Sequence, residues 1–135
     1  MSFREFLECD KNKPVTQSEI NQLEKYLDKV WKNMGIDFEF TRHFIDRLND
    51  KRNGKQITAC EIKSMFLEVF KKYGKQFAKV NVDVEAVLSD TKSDVNIPFG
   101  LNYNRAKKEL ELVSITVMRK KNFKPNKSGE VHIKI

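Results

Sequence analysis

Residues 80–103, VNVDVEAVLSDTKSDVNIPFGLNY, decide the fold. Val80, Val82, Val84, Ala86 and Leu88 recur at every second position as far as the polar turn 89–94. Val95, Ile97, Phe99, Leu101 and Tyr103 then repeat the pattern, with Pro98 and Gly100 on the opposite side. A period of two is that of a strand with one buried face, so the stretch predicts two strands. Proline cannot donate to a ladder, and Pro98 with Gly100 predicts an edge strand or a bulge.

Upstream, the period is helical. Thr16 and Glu19 form a capping box, and Ile20, Leu23, Leu27, Val30, Trp31 and Met34 keep a 3.6-residue spacing up to Gly35, which predicts a helix over 17–34. Phe38 and Phe40 bracket Glu39 in a brief extended stretch, and Thr41 caps a second helix running to about Asn49. Lys51-Arg52-Asn53-Gly54-Lys55 predicts a turn or hairpin tip. Thr58 and Glu61 repeat the capping box ahead of Ile62, Met65, Phe66, Val69, Phe70 and Tyr73, so a third helix is predicted over 59–73, stopping at Gly74.

Downstream, Leu110 and Leu112 fall on one side but Val113, Ile115 and Val117 on the other, which predicts a phase slip or a strand buried on both faces. Val131, Ile133 and Ile135 predict a last strand. The expected fold is α+β: three N-terminal helices followed by a three- to four-stranded antiparallel sheet. Residues 1–13, with Phe3, Phe6 and Leu7 before a polar run, read as an N-terminal arm, and 14–135 as one domain.

With 135 residues there is room for one core. Apolar residues at 39% and ten Phe exclude a wholly disordered chain, although 33% of residues are charged. The net charge of +7 is placed unevenly, with 12 basic and 11 acidic groups in 1–67 against 14 and 8 in 68–135. Cys9 and Cys60 are too few for a disulfide framework and predict a reducing compartment, with Cys60 as packing. Uninterrupted apolar runs stop at three residues, so no membrane partner is expected. No P-loop, G-x-G-x-x-G, H-E-x-x-H or EF-hand loop occurs, and neither metal nor cofactor is expected.

Two places can carry chemistry. His43 and Arg47 are four residues apart on one helix face, where a histidine moves protons near neutral pH and a guanidinium holds phosphate. The plain alternative is that His43 caps the helix or stacks on Phe40. The second place is the basic end of the chain, where 105–135 carries nine basic and three acidic residues. Lys107, Lys108, Lys120, Lys121 and Lys124 attract phosphate backbones, and Phe123 can stack a base; the alternative is a solvated run guarding a strand edge. Ser114 and Thr116 fall on one strand face with Met118, and either hydroxyl can donate to an oxyanion.

A helix bearing HFIDR (His43 to Arg47), a further helix and a sheet whose last long strand carries hydroxyl and basic residues resembles the barnase, EndoU, colicin-nuclease and RelE-like superfamily, and in particular its small BrnT-like and phage-encoded branches. The resemblance spans about residues 38–124. It implies a metal-independent ribonuclease in which the RNA 2'-OH attacks the adjacent phosphate, with His43, Arg47, Thr116 and Arg119 as catalytic residues. MSFREFLE at the start is similar to the short targeting peptides of internal head proteins in T4-like phages, with Phe3, Glu5, Phe6, Leu7 and Glu8 carrying the likeness. The expected function is that of a phage-type protein that binds RNA rather than DNA, as a ribonuclease, in the host cytoplasm or packaged in the virion. The alternative is a non-catalytic internal virion protein or inhibitor that binds DNA or a host enzyme through its basic half.

Overall fold

The structure, a computed structural model, describes residues 13–77, 85–124 and 131–135. The arm and the run Val80, Val82 and Val84 lie outside the described residues. Helix α1 (Gln17–Trp31) opens on the expected capping box, with the Thr16 hydroxyl accepting from the Glu19 N–H and the Glu19 carboxylate accepting from the Thr16 N–H. A 3₁₀ turn (Lys32–Met34) extends it to Gly35, whose φ of 68° provides the left-handed exit. Strand β1 (Ile36–Phe40) follows, then α2 (Arg42–Leu48), capped by Thr41. A 3₁₀ turn (Lys51–Asn53) leads to α3 (Ala59–Phe77).

The rest is sheet: β2 (Glu85–Ser89), β3 (Val95–Asn104), β4 (Glu109–Ser114), β5 (Met118–Arg119) and β6 (Val131–Lys134). The strands lie in the order β1-β4-β3-β2-β6, with β5 also paired to β3. The α+β class holds, but two finer expectations are corrected. Among the described residues the sheet has six strands and is mixed, since β1 pairs with β4 and β6 with β2 in parallel. It also does not wait for the helices to finish, because β1 belongs to it. A five-residue strand between two helices offers too short an alternation to announce its partner, which is most of the chain away.

Helix α3 passes through Gly74 instead of ending there. A Cβ at Gly74 would stand 3.5 Å from the Met34 side chain, an ordinary van der Waals contact, and the glycine does not have a positive φ, so nothing at this position stops the helix. The segment 51–55 is a turn but not a hairpin. Pro98 sits in a central strand, and the reason is local. Ser114 Oγ donates to the Pro98 carbonyl at 2.7 Å, so the β4 side of β3 is the side on which Pro98 lacks its N–H. On that side the chain leaves the sheet at 115–117, between β4 pairing with 100–104 and β5 pairing with 95–96. This gap is also the phase slip: Ile115 is exposed, Thr116 half-buried and Val117 buried.

One face of the sheet carries Ile36, Phe38 and Phe40, Leu112, Val95, Ile97, Phe99 and Leu101, and Ala86 and Leu88 into a single core shared with the helices. Its centre is aromatic. Trp31 meets Phe70 edge-on at 5.1 Å, Phe38 meets Phe66 edge-on at 5.0 Å, and Phe40 lies 4.7 Å from Phe44. Cys60 packs half-buried against this core and is disulfide-bonded, correcting the expectation of a reduced thiol there. Cys9 lies outside the described residues. No helix among the described residues is long and apolar enough to cross a membrane.

The free edge of β1 is covered by α1. Asp28 Oδ1 accepts from the Phe38 N–H at 2.6 Å and Glu24 Oε1 from the Phe40 N–H at 2.8 Å, so two donors that would invite another strand are occupied. Burial is the main cause pushing both carboxyls above their ordinary values of 4.5 for Glu24 and 3.8 for Asp28, against the hydrogen bonds that lower them. An acid raised in the fold favours the folded state most below its unfolded value and loses that contribution as pH climbs through the folded one. Glu24→Gln keeps an acceptor for Phe40 without the charge. Its urea midpoint is expected to gain on the wild type between pH 4.5 and pH 7, whereas Glu24→Ala, which leaves the N–H bare, is expected to lose about 1–2 kcal/mol at either pH.

Candidate functional site

Helix α2, the turn after it and the β4–β5 gap converge on a cleft of about 400 Å3, lined by Arg47, Asp50, Arg52, Asn53 and the run Thr116-Val117-Met118-Arg119-Lys120. Three of the four residues singled out for catalysis, Arg47, Thr116 and Arg119, therefore meet although they come from distant parts of the chain. His43 stands on α2 one turn before Arg47, exposed, and its Nε2 accepts from Arg47 Nε at 3.3 Å. With Nε2 accepting, the ring proton sits on Nδ1.

Arg119 does not hold the expected role. Its Nη2 donates to both carboxylate oxygens of Glu61, at 3.1 and 3.0 Å, and to the Gln56 carbonyl at 3.2 Å. Nη1 donates to the Ser93 carbonyl at 2.7 Å and Nε to the Lys55 carbonyl at 3.3 Å. Its backbone N–H donates to Asn53 Oδ1 at 3.1 Å. Side-chain exposures of 14% and 22% make the Arg119–Glu61 pair largely buried. A guanidinium so committed fastens the chain and is not free to neutralise a phosphate. Glu61 is likewise taken from its expected capping box: Thr58 Oγ1 accepts from the Glu61 N–H, but the Glu61 carboxylate serves Arg119.

In place of Arg119 the cleft presents Arg52, which the sequence reading treated only as part of a turn. Its guanidinium grips Asp50 through Nε, at 3.2 and 3.1 Å from the two oxygens, and Nη2, at 2.7 Å from Oδ2. Arg47 Nη1 lies 3.8 Å from the same oxygen. The Arg52 side chain and backbone hydrogen bonds hold the Asp50 carboxyl down to about 2. Asn53 Nδ2 donates to the Arg47 carbonyl at 2.9 Å, tying the turn to the helix end. The signal for Arg52 was the density of cations in Lys51-Arg52-Asn53-Gly54-Lys55.

The expected lysine patch is divided. Lys120, Lys121 and Lys124 are exposed after β5, and of the three Lys120 lines the cleft. Lys107 and Lys108 lie in the β3–β4 turn, at the far end of both strands. Lys107 there faces acids: its charge lowers the carboxyls of Asp28 and Glu109, and Glu109 is raised chiefly by its hydrogen bond with Asp37. Phe123, half-buried, points its ring at His132, with centroids 6.4 Å apart.

A second hydroxyl–imidazole pair was not foreseen. Ser89 Oγ lies 2.7 Å from His132 Nε2 and 2.6 Å from Asn96 Oδ1, and Asn96 Nδ2 donates to the Asp94 and Lys120 carbonyls, both at 3.0 Å. An amide oxygen only accepts, so the single Ser89 hydroxyl proton goes to Asn96 and His132 must donate to Ser89. The serine is therefore not activated as a nucleophile, and the network joins β2, β3 and β6. Ser114 is spent in the same way, its one hydroxyl proton shared between the Pro98 and Thr116 carbonyls at 2.7 and 3.0 Å. Among the described residues no group of three His, Cys, Asp or Glu side chains is placed to hold a metal ion.

Compared with known protein families, curated proteins and solved structures, the chain finds no match. Arg119→Ala is expected to cost about 3 kcal/mol in urea unfolding, since it strands Glu61 and frees three carbonyls. Lys120→Ala, a few ångströms along the chain but without such bonds, is expected to stay within about 0.5 kcal/mol of wild type.

Proposed function

We propose that this protein binds the phosphate backbone of nucleic acid, RNA foremost, in the cleft between α2 and the β4–β5 gap. The observation that carries the proposal is convergence: Arg47, Arg52 and Lys120 face one cleft with the polar groups of Asn53 and Thr116, against the single carboxylate of Asp50. Cations gathered in a concave site attract phosphate over any other common ligand and release counterions on binding it. Guanidinia, with their planar pairs of donors, suit phosphate oxygens. The preference for RNA rests on the resemblance of the HFIDR helix and basic strand end to metal-independent ribonucleases. The virion setting rests on residues 1–8 alone.

Binding without cleavage is the primary reading. Of the cleft's lining residues Asp50 is the only carboxylate, and a group held ionised down to about 2 is no proton donor at neutral pH. Arg119, the expected second phosphate ligand, is bound to Glu61. One observation favours cleavage as a second reading. When Arg47 turns to a phosphate, His43 Nε2 is released beside it as an acceptor for a 2'-OH proton.

Titration of labelled single-stranded RNA over a range of salt tests the proposal. Arg47→Ala, Arg52→Ala and Lys120→Ala are each expected to weaken binding and to reduce the slope of log K against log salt by about 0.7, one phosphate contact apiece. Lys107→Ala and Lys108→Ala, at the other end of the sheet, are expected to leave that slope unchanged. Incubation of the protein with total RNA in EDTA at low salt is expected to leave the RNA intact; cleavage that His43→Ala abolishes would instead establish the ribonuclease.

A further inference from the structure

We propose that Asp50 is the resident occupant of the anion seat in this cleft, and that the seat is shaped for a phosphodiester, which displaces it. The inference rests on the reading of the cleft as phosphate-binding and names what the seat takes and what opposes it. Two guanidinia converge on one carboxylate: Arg52 through a fork to both oxygens, Arg47 from 3.8 Å on the Oδ2 side. A carboxylate spreads one negative charge over two oxygens. A phosphodiester does the same with its two non-bridging oxygens, so it can replace Asp50 between the same donors.

The charge of Asp50 is not needed for the local structure. Asp50 caps the 3₁₀ turn by accepting from the Arg52 N–H at 2.9 Å, a duty that one neutral oxygen fulfils. The Arg52 side chain is 76% exposed, and ion pairs so open to water contribute little to stability. What the carboxylate does is hold two arginines pointed into the cleft, and its charge there opposes any incoming anion. Ligand binding is thus an exchange of one anion for another, and affinity is set below what the arginines alone would give.

The test is RNA affinity at fixed moderate salt, by fluorescence anisotropy with a short labelled oligouridylate, for wild type, Asp50→Asn, Asp50→Ser and Asp46→Asn. Asn and Ser both cap helical turns, so either variant preserves the fold, which thermal unfolding verifies. Asp46 is an exposed residue of α2 outside the cleft lining, and its variant removes the same charge nearby. Asp50→Asn and Asp50→Ser are expected to bind about ten-fold tighter than wild type, and Asp46→Asn to change by less than about three-fold. Equal tightening in the Asp46 and Asp50 variants would overturn the proposal, because only net charge would then matter. Wild-type binding that Asp50→Asn and Asp50→Ser leave unchanged or weaken would overturn it while sparing the phosphate-binding reading. Absence of binding by every protein would overturn both.

Discussion

Arg119 joins parts of the chain that are distant in sequence. Its guanidinium and backbone reach the turn before α3 at Asn53, Lys55 and Gln56, the first turn of α3 at Glu61 and the β2–β3 turn at Ser93. Apart from the exposed Lys55 carbonyl, these acceptors are part-buried, and the carboxylate, if left alone, would be a largely buried charge without a partner. This side chain links the turn before α3 and the first turn of α3 to the β2–β3 end of the sheet. The turn carrying Asp50, Arg52 and Asn53 is pinned to β5 by the Arg119 backbone N–H, which donates to Asn53 Oδ1. An arginine that reads from sequence as a ligand for phosphate thus acts by holding the residues that are free to bind it.

What was legible in the sequence was what is decided within a few residues. Thr16 with Glu19, Thr41 and Gly35 act on backbone groups next to them, and each does in the structure what its chemistry implies. Ala86 and Leu88 face Phe99 and Ile97 across the hairpin as the alternation required. The change of phase expected at Leu112 and Val113 falls a little later, because β4 pairs unbroken to Ser114 and the chain leaves the sheet at 115–117. The failures are of range. Gly74 lies inside α3, which runs on to Phe77, and Pro98 is central because its missing N–H faces the gap. Nothing local to Arg119 announces Glu61, and nothing local to Asp50 announces that two arginines will share it.

Charge counted along the chain and charge arranged in space proved to be different quantities. The basic excess of the second half led to Lys107 and Lys108, which fold to the end of the sheet where Asp28, Asp37 and Glu109 gather. The cleft draws Arg47 and Arg52 from the nearly neutral first half, and from the second the run 116–120, whose cations are Lys120 and the Glu61-bound Arg119. Placement in the fold, not the count along the chain, therefore decides which cations are left for a ligand.

The parallel pairing of β1 with β4 sets an order of events during synthesis. Ile36 leaves the ribosome early, yet its partner Leu110 is made only after α2, α3, β2 and β3. In that interval β1 has one side closed by Glu24 and Asp28 of the helix just before it, which can form at once because the separations are 10 and 16 residues. The other side waits. A nascent chain released or stalled before residue 110 exposes a strand that reads Ile-Asp-Phe-Glu-Phe, and its two acids are then the main guard against pairing with a neighbour. The sheet closes around β1 only once residues 109–114 have been made, long after β1 itself.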